Sequence, residues 1–295
     1  MQHDATMMPR RLRTPGWHIG ISRGLAASSI VIAATAVTPA TASDVGVAPH
    51  RAIYEISLAR TSANANVTDL SGRMVYELTG SRCTGFKQTM RFVTRTSDNR
   101  GQPTVSDMRS SFKENGDSDL FEFESENFRN ERRTDRTLGS AKKSGRAIDL
   151  KLQRPSRRSK TIEGPVMFPV AHSLAILKAA NAGDKVFTAT VFDGSEKGDK
   201  VFETTAAIGQ RLEPGYNGEL PRKGDFPVLD SERAWPVSLS YFERSEKRAD
   251  NVPSYELAFV FFENGVSRRL FIDYGAFAIR GALSKLEMLD TKPCP

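Results

Sequence analysis

The chain has 295 residues, 39% of them hydrophobic, and its 42 Lys and Arg outnumber its 35 Asp and Glu to give a formal net charge of +7. Beyond the first 42 residues, no apolar run reaches the roughly 20 residues that a transmembrane helix needs. We therefore expect a chain that does not span a membrane and that has enough residues for one large domain.

The first residues are typical of a secretory signal peptide. Four arginines between residues 10 and 23 precede the apolar run Gly24 to Val37, and the small residues Ala40-Thr41-Ala42 form a cleavage site. We predict a signal peptide over residues 1–42 and a single domain over residues 43–295 that is exported from the cytoplasm. The pair Arg10-Arg11 keeps the twin-arginine route open beside the general secretory route. Loss of the leader removes four basic residues and one acidic residue, which lowers the net charge to +4.

Most of the remaining chain predicts β-strands. Apolar Phe121 and Phe123 alternate with Glu122 and Glu124, and this two-residue period is typical of a sheet with one wet face. The predicted strands are Arg51–Arg60, Gly72–Gly80, Gly85–Thr96, Ser106–Asn115, Asp119–Phe128, Ala234–Arg244, Ser254–Gly265, Val266–Gly275 and Ala276–Leu289. The Gly- and Pro-rich segment Gly215–Arg233 predicts a long surface loop.

Residues 129–160 are rich in Lys and Arg, and we predict two solvated strands and a loop there. One interpretation is a solvated face that keeps the protein soluble. The other is an electrostatic contact with anionic envelope material, such as lipopolysaccharide, phospholipid headgroups or peptidoglycan carboxylates. The candidate contacts are Arg132, Arg133, Lys142, Lys143, Arg157 and Arg158.

One segment breaks the strand pattern and predicts a helix over about residues 169–182. Pro169 suits the first turn of a helix, and Gly183 is a stop signal. One helix among many strands predicts a mainly β fold, in which the helix plugs or covers a strongly curved antiparallel sheet. Such a container could hold a ligand, although the same residues would also suit an ordinary core. The candidate ligand-lining residues are Val170, Leu174 and Leu177 of the helix and the aromatics Phe259, Phe261, Phe271 and Phe277 of the strands.

The stretch Val186–Gly209 places the polar segment Asp193–Lys200 between two β-rich runs. Two glycines in a short polar link favour a β-hairpin. A calcium loop is the alternative, but Lys197 and Lys200 would oppose a dication.

The sequence offers no catalytic motif: G-x-S-x-G, H-E-x-x-H, C-x-x-C and the P-loop are all absent. His172 lies in the predicted helix, and we interpret it as a packing or capping residue. Glu122, Glu124 and Glu126 follow the strand period, which favours a solvated stripe over an acid–base pair. We predict no catalytic residue, no metal site, no cofactor and no nucleic-acid partner.

The cysteine content is two residues, Cys83 and Cys294. In an oxidising compartment, two cysteines most often form one disulfide. Two unpaired thiols stay open as an alternative, whereas two ligands alone do not make a metal site.

Several stretches of the mature chain together carry a resemblance that covers His50 to Cys294. They are HRAIYEISL, the central block FPVAHSLAILKAANAGDKVFTATVFDGSEKGDKVFETTAAIG, WPVSLSYFE, YELAFVFFENGVSRRLFIDYG and the C-terminal Cys294. These stretches resemble the EipB family, periplasmic envelope-integrity proteins of alphaproteobacteria. The resemblance implies a broken, spiral-like antiparallel β-barrel filled by a central helix, and a disulfide between Cys83 and Cys294. It also implies a likeness to periplasmic lipoprotein-carrier folds, and it supplies no catalytic residues.

These observations predict a non-enzymatic periplasmic protein that supports envelope integrity by binding envelope lipid, lipoprotein or protein components. A different class of function is a carrier that holds an acyl chain between the helix and the sheet. A hydrolase of cell-wall polymers is a third hypothesis, and it would have to rely on His172.

Overall fold

A computed structural model of the chain describes residues 46–63, 65–215, 226–244 and 252–290. The predicted signal peptide and Cys294 lie outside the described residues. Within the described part, no helix combines the length and the apolar character needed to cross a membrane.

The described chain forms fifteen strands and two helices. The first strands are β1 (His50–Thr61), β2 (Asp69–Ser81), β3 (Gly85–Ser97), β4 (Pro103–Glu114), β5 (Leu120–Arg129), β6 (Arg132–Ser144), β7 (Ala147–Arg154) and β8 (Arg158–Glu163). The others are β9 (Val166–Met167), β10 (Val186–Val191), β11 (Phe202–Ile208), β12 (Ala234–Glu243), β13 (Tyr255–Phe262), β14 (Ser267–Asp273) and β15 (Phe277–Met288). The helices are α1 (Pro169–Ala182) and α2 (Pro227–Asp230).

All fifteen strands belong to one sheet, which is not closed. Its order is β8-β7-β6-β5-β4-β3-β2-β1-β15-β14-β13-β12-β11-β10-β9, so that the first and last strands of the chain pair at its centre. Every pairing is antiparallel except the short parallel pairing of β9 with β10. The predicted mainly β fold with a curved, broken sheet is confirmed, and each of the nine predicted strands is present.

Two segments differ from their prediction. Residues 129–160 form most of the three strands β6, β7 and β8 rather than two solvated strands and a loop. The reason is a period of two in β7, where Ile148, Leu150 and Leu152 are buried. In the predicted loop 215–233, α2 buries Leu229.

The helix α1 begins and ends at the predicted residues, Pro169 and Ala182. Gly183 adopts a left-handed conformation, with φ 87°, and donates its N–H to Ala180 O at 3.1 Å. A residue with a Cβ would be strained at that φ, which explains why glycine ends the helix.

The sheet curves around α1 and contacts it from two distant parts. Val170 packs with Leu78 of β2 and Phe86 of β3. Farther along the helix, Ile176 and Leu177 pack against β11, β12 and β13. The strand residues of this second contact are Ala206, Ile208, Trp235, Val237, Leu239 and Phe261. Because the helix is covered on several sides, it fills the space that the curved sheet encloses.

A carboxylate from the sheet caps the N-terminus of α1. Glu114, the last residue of β4, is only 2% exposed. Its side chain accepts hydrogen bonds from the backbone N–H of Val170 at 2.8 Å and of Ala171 at 2.9 Å, and from the Ser118 hydroxyl at 2.7 Å. The helix has no capping side chain at its own N-cap, Phe168. Burial raises the pKa of Glu114, against the hydrogen bonds that favour its charged form.

We predict that Glu114→Ala lowers the free energy of unfolding by about 2–4 kcal/mol, because it leaves two N–H groups of α1 buried without an acceptor. Glu122→Ala is the matched control. Glu122 is an exposed strand residue with one ion pair, to Lys113 at 3.6 Å, and such a pair contributes at most about 1 kcal/mol. Urea unfolding measures both variants. Equal loss in the two variants would show that the position of the helix does not depend on the cap.

Candidate functional site at the open seam of the sheet

A cleft of about 730 Å³ opens where the two edges of the sheet approach each other. One wall comes from the β6–β7 turn, with Lys143 and residues 145–148, and from residues 164–167 that lead into and form β9. The other wall comes from residues 187–190 of β10 and 203–205 of β11. We call this space the seam cleft.

The seam exists because β9 covers only part of β10. Thr190 and Val191 pair with Val166 and Met167, whereas no strand of the described chain pairs with residues 186–189 on that side. The first part of β10 is therefore an open sheet edge that faces the cleft.

The charged side chains of the seam cleft are unevenly distributed between its walls. Lys143 and Arg146 line the first wall, and neither lies within ion-pair distance of a carboxylate of another described residue. The positive charge of Lys143 also acts on Glu114, where it opposes the rise in pKa that burial causes. The Lys143 ammonium lies 5.3 Å from the centre of the Phe168 ring. The opposite wall carries Glu203. Apolar Ile148 and Val166 belong to the lining as well, so the cleft can contact both an apolar and an anionic group.

Thr204, which lines the cleft, forms a buried polar pair with His172 of α1. His172 Nε2 lies 3.1 Å from the Thr204 hydroxyl, which in turn donates to Ala189 O at 3.0 Å. A hydroxyl has one hydrogen, so His172 donates to Thr204 through Nε2 in this arrangement. Burial lowers the pKa of His172 to about 4, which keeps the imidazole neutral at pH 7. The pair anchors α1 to β11, as expected of a packing residue, and Thr204 does not pass its proton to the imidazole.

The connection between β10 and β11, residues 192–201, is a hairpin loop, and this prediction is confirmed by the antiparallel pairing of the two strands. We call it the latch loop. It is more buried than a solvated turn: Phe192 is fully buried, and burial raises the pKa of Asp193. No group of three or more metal-binding side chains occurs in the described part of the chain.

The latch loop contacts both sides of the sheet and closes one end of the seam. It joins β5, β6 and β8 on one side to β12 on the other. The polar contacts are Thr137 Oγ1 to Glu196 O at 2.7 Å, Arg158 to Asp199 at 2.8 Å, and Lys200 to Glu243 at 2.7 Å. The broken sheet is thus held together by side chains where strand pairing is missing.

The residues predicted to line a ligand do not form one surface. Three of them, Val170, Leu177 and Phe261, are buried in packing contacts. Three others are partly buried in three different clusters: Leu174, Phe259 and Phe277. Phe271 is 37% exposed and lies on the opposite face of β14 from Leu270 and Ile272. None of the seven lines the seam cleft.

The six basic candidates do not form one surface either. Arg132 and Arg133 begin β6, whereas Lys142 and Lys143 lie near its end, about 30 Å away at the rise of a strand. Of the six, only Lys143 lines the seam cleft. Ion pairs occupy Arg133 and Arg158.

Sequence reasoning missed Arg146 and the β10 residues. Arg146 follows the Ser144-Gly145 turn. The sequence shows that it is basic, but no local pattern predicts which part of the fold a turn contacts. Thr188 and Thr190 have the period of a strand, which does not tell whether the strand edge is covered.

The stripe Glu122, Glu124 and Glu126 is solvated as predicted. Each carboxylate pairs with a cation on a neighbouring strand: Lys113 at 3.6 Å, Arg136 at 2.6 Å and Arg133 at 3.1 Å. These exposed cross-strand pairs leave no carboxylate pair facing a cleft.

A substitution at Gly194 tests how tightly the latch loop is packed. A Cβ at Gly194 would lie 2.5 Å from the Phe123 ring, and φ there is 67°. We predict that Gly194→Ala costs about 2–4 kcal/mol of unfolding free energy, from left-handed strain together with overpacking. Gly101→Ala is the control, because φ is 74° and nothing lies within 4 Å of its Cβ, so that only the strain of about 1 kcal/mol applies. Thermal unfolding that is alike in both variants would contradict the tight packing of the loop on β5.

Comparison with known proteins gives a consistent result. The profile of the family described as EipB-like matches residues 41–290. The chain is 34% identical over 251 residues to the cell envelope integrity protein EipB of Brucella abortus (strain 2308), which covers 85% of this chain and 87% of that protein. A crystal structure of a beta-barrel-like protein of a domain of unknown function, also from Brucella abortus, matches with a TM-score of 0.76 and 32% identity, over 83% of this chain and all of the other. The chain therefore belongs to the EipB-like family, whose relative is named for a role in envelope integrity.

Proposed function

We propose that this protein supports the integrity of the cell envelope without catalysis, by holding an anionic envelope component in the seam cleft. The observation that carries the proposal is the cleft itself, which combines an apolar lining, two cations and an open strand edge at the break of the sheet. The name of the Brucella relative supports the envelope role. A site of several hundred cubic ångströms with a few polar groups is typical of ligand binding.

The alternative, a carrier with an acyl chain between α1 and the sheet, has less support. Ile176 and Leu177 fill that space, being 2% and 0% exposed. An acyl chain could enter only if the helix left, and its departure would break two hydrogen bonds to the buried carboxylate of Glu114. The seam cleft needs no such change.

A hydrolase also has less support. His172 donates its Nε2–H to Thr204, and neither side chain is set up as an activated nucleophile or its base. The proposal therefore assigns no catalytic residue and no cofactor.

The periplasm is the proposed compartment, since it follows from the predicted signal peptide and suits the predicted disulfide. Cys83 follows β2, whose Leu78 pairs with His50, and His50 pairs with Met288 of β15. The turn with Cys83 and the end of β15 are thus at the same end of the sheet. Leu78 and Met288 are two strand spacings or about 10 Å apart, and β2 extends beyond Leu78 by three residues, or about 10 Å, before that turn. The chain from Met288 to Cys294 is long enough to span that distance.

We predict that Cys83→Ser lowers the thermal midpoint as much as reduction of the native protein does, with a stability loss of up to about 5 kcal/mol for so long a loop. Cys294→Ser should give the same loss, and the double variant should lose no more than either single variant. A native protein that melts identically with and without reductant would contradict the pairing.

The function itself can be tested by charge reversal in cells that lack the chromosomal copy of the gene. We predict that Lys143→Glu/Arg146→Glu fails to restore growth on detergent plates, because the cleft then repels an anionic component. Arg132→Glu/Arg133→Glu reverses the same charge at the other end of β6 and should restore growth. Thermal midpoints establish that both variants fold. The proposal is wrong if the folded cleft variant restores growth as well as the control variant does.

A further inference from the structure

The backbone of β10 offers hydrogen bonds to the seam cleft. Ile208 donates its N–H to Lys185 O at 2.8 Å, so the C=O of Lys185 points toward β11. On the other side, Phe192 donates its N–H to Met167 O of β9 at 3.0 Å. Backbone groups alternate along a strand, so the N–H and C=O of Val186 and Thr188 point away from β11 toward the open edge.

The cleft surrounds this edge. Thr188 and Thr190 lie on one face of β10, Phe187 and Ala189 lie on the other, and all four line the cleft. Residues 164–166, which lead into β9, line the cleft as well, so the free space includes the position beside β10 where a neighbouring strand would lie.

That position is where β9 would continue if it were longer. β9 runs parallel to β10, and its first residue, Val166, pairs with Thr190. The preceding Pro165 has no N–H, and Gly164 has φ 102°, so the chain turns away toward β8 before it reaches residues 186–189.

The two edges of the sheet differ in protection. β8 contains Arg158, Lys160 and Glu163, and charged residues of this kind discourage pairing with another chain. β10 has the sequence VFTATV, without charge or proline, and its Val186 is 59% exposed. An apolar, uncharged edge of this kind is a template for an added strand.

Charge indicates which polypeptide would suit the edge. Lys143 and Arg146 line the same cleft and outnumber its one acidic lining residue, Glu203, so acidic side chains would be favourable. The predicted leader carries four arginines and one acidic residue, and β10 of a second copy would bring no carboxylate. Neither matches the charge of the wall.

We propose that the seam cleft receives an extended, acidic segment of a partner protein, which pairs with Val186 and Thr188 as a sixteenth strand. The inference rests on the proposed function at the same cleft, and it names the class of the occupant. Main-chain hydrogen bonds supply binding, and the cations of the opposite wall supply selectivity.

The test is a proline at an outward-facing backbone position. Thr188→Pro removes an N–H that points into the cleft and leaves the pairing with β11 intact. A phage library of random decapeptides is selected on the purified mature protein, and the enriched peptides are synthesised for fluorescence anisotropy.

We expect acidic, proline-free peptides whose Kd rises about tenfold or more in Thr188→Pro. Thr188→Ala keeps the N–H and should bind several-fold more tightly than Thr188→Pro. Val186→Pro, at the first residue of the strand, gives a second variant with the same expected loss should Thr188→Pro melt early.

Three results would overturn the inference. The first is that no peptide is enriched, or that enriched peptides bind both proline variants as they bind the native protein. The second is self-association in analytical ultracentrifugation that Thr188→Pro abolishes, which would make a second copy the occupant. The third is binding of phosphatidylglycerol vesicles that Lys143→Glu/Arg146→Glu abolishes and Thr188→Pro does not change. That third result would keep the proposed function but make the occupant a lipid rather than a polypeptide. If Lys143→Glu/Arg146→Glu changed the affinity for neither peptides nor vesicles, both proposals would be wrong.

Discussion

The hydrogen bonds from α1 to Glu114 determine how the rest of this structure is arranged. A helix enclosed by a sheet must satisfy the N–H groups of its first turn without water. Here a carboxylate from β4, 56 residues before Val170, satisfies two of them. The cap fixes the helix start against β4, and the far end packs on β11 to β13. Because the helix is held at both ends, the interior is a packed core, and the proposed function places an exchangeable ligand elsewhere.

That other place is the seam. A sheet that wraps around a helix and stops short of closure leaves two edges. In this protein the two edges differ in charge and in how far they are covered. The β8 edge carries charges, the latch loop bridges the two sides by side-chain contacts, and part of β10 stays open beside the cleft. Closing the barrel by strand pairing would have removed the edge. We propose that the open seam beside a filled core is the feature through which this protein contributes to the envelope.

Local signals were enough to predict the strands and the helix, because Pro169, Gly183 and the two-residue period act within a few residues of chain. They were not enough for the site. Glu114 looks in sequence like any polar residue at a strand end, and its burial is decided by a helix far along the chain. Phe271 does not share a face with Phe259 and Phe261, because the register shifts between Ala258 and Val260 and breaks the continuity of side-chain facing from β13 to β14. The seam cleft itself depends on which edge the β8–β9 connection leaves uncovered, and this is a property of the tertiary fold.

Native-state hydrogen exchange of α1 tests the central claim, that the helix is a permanent part of the core, most directly. The account predicts that the amides of Ile176 and Leu177 exchange only through global unfolding, with the same free energy as the central strands β1 and β15. Exchange of these amides through an opening about 2 kcal/mol or more below that of the strands would contradict it. The helix would then leave the sheet while the protein stays folded, and the interior would again be a candidate binding site.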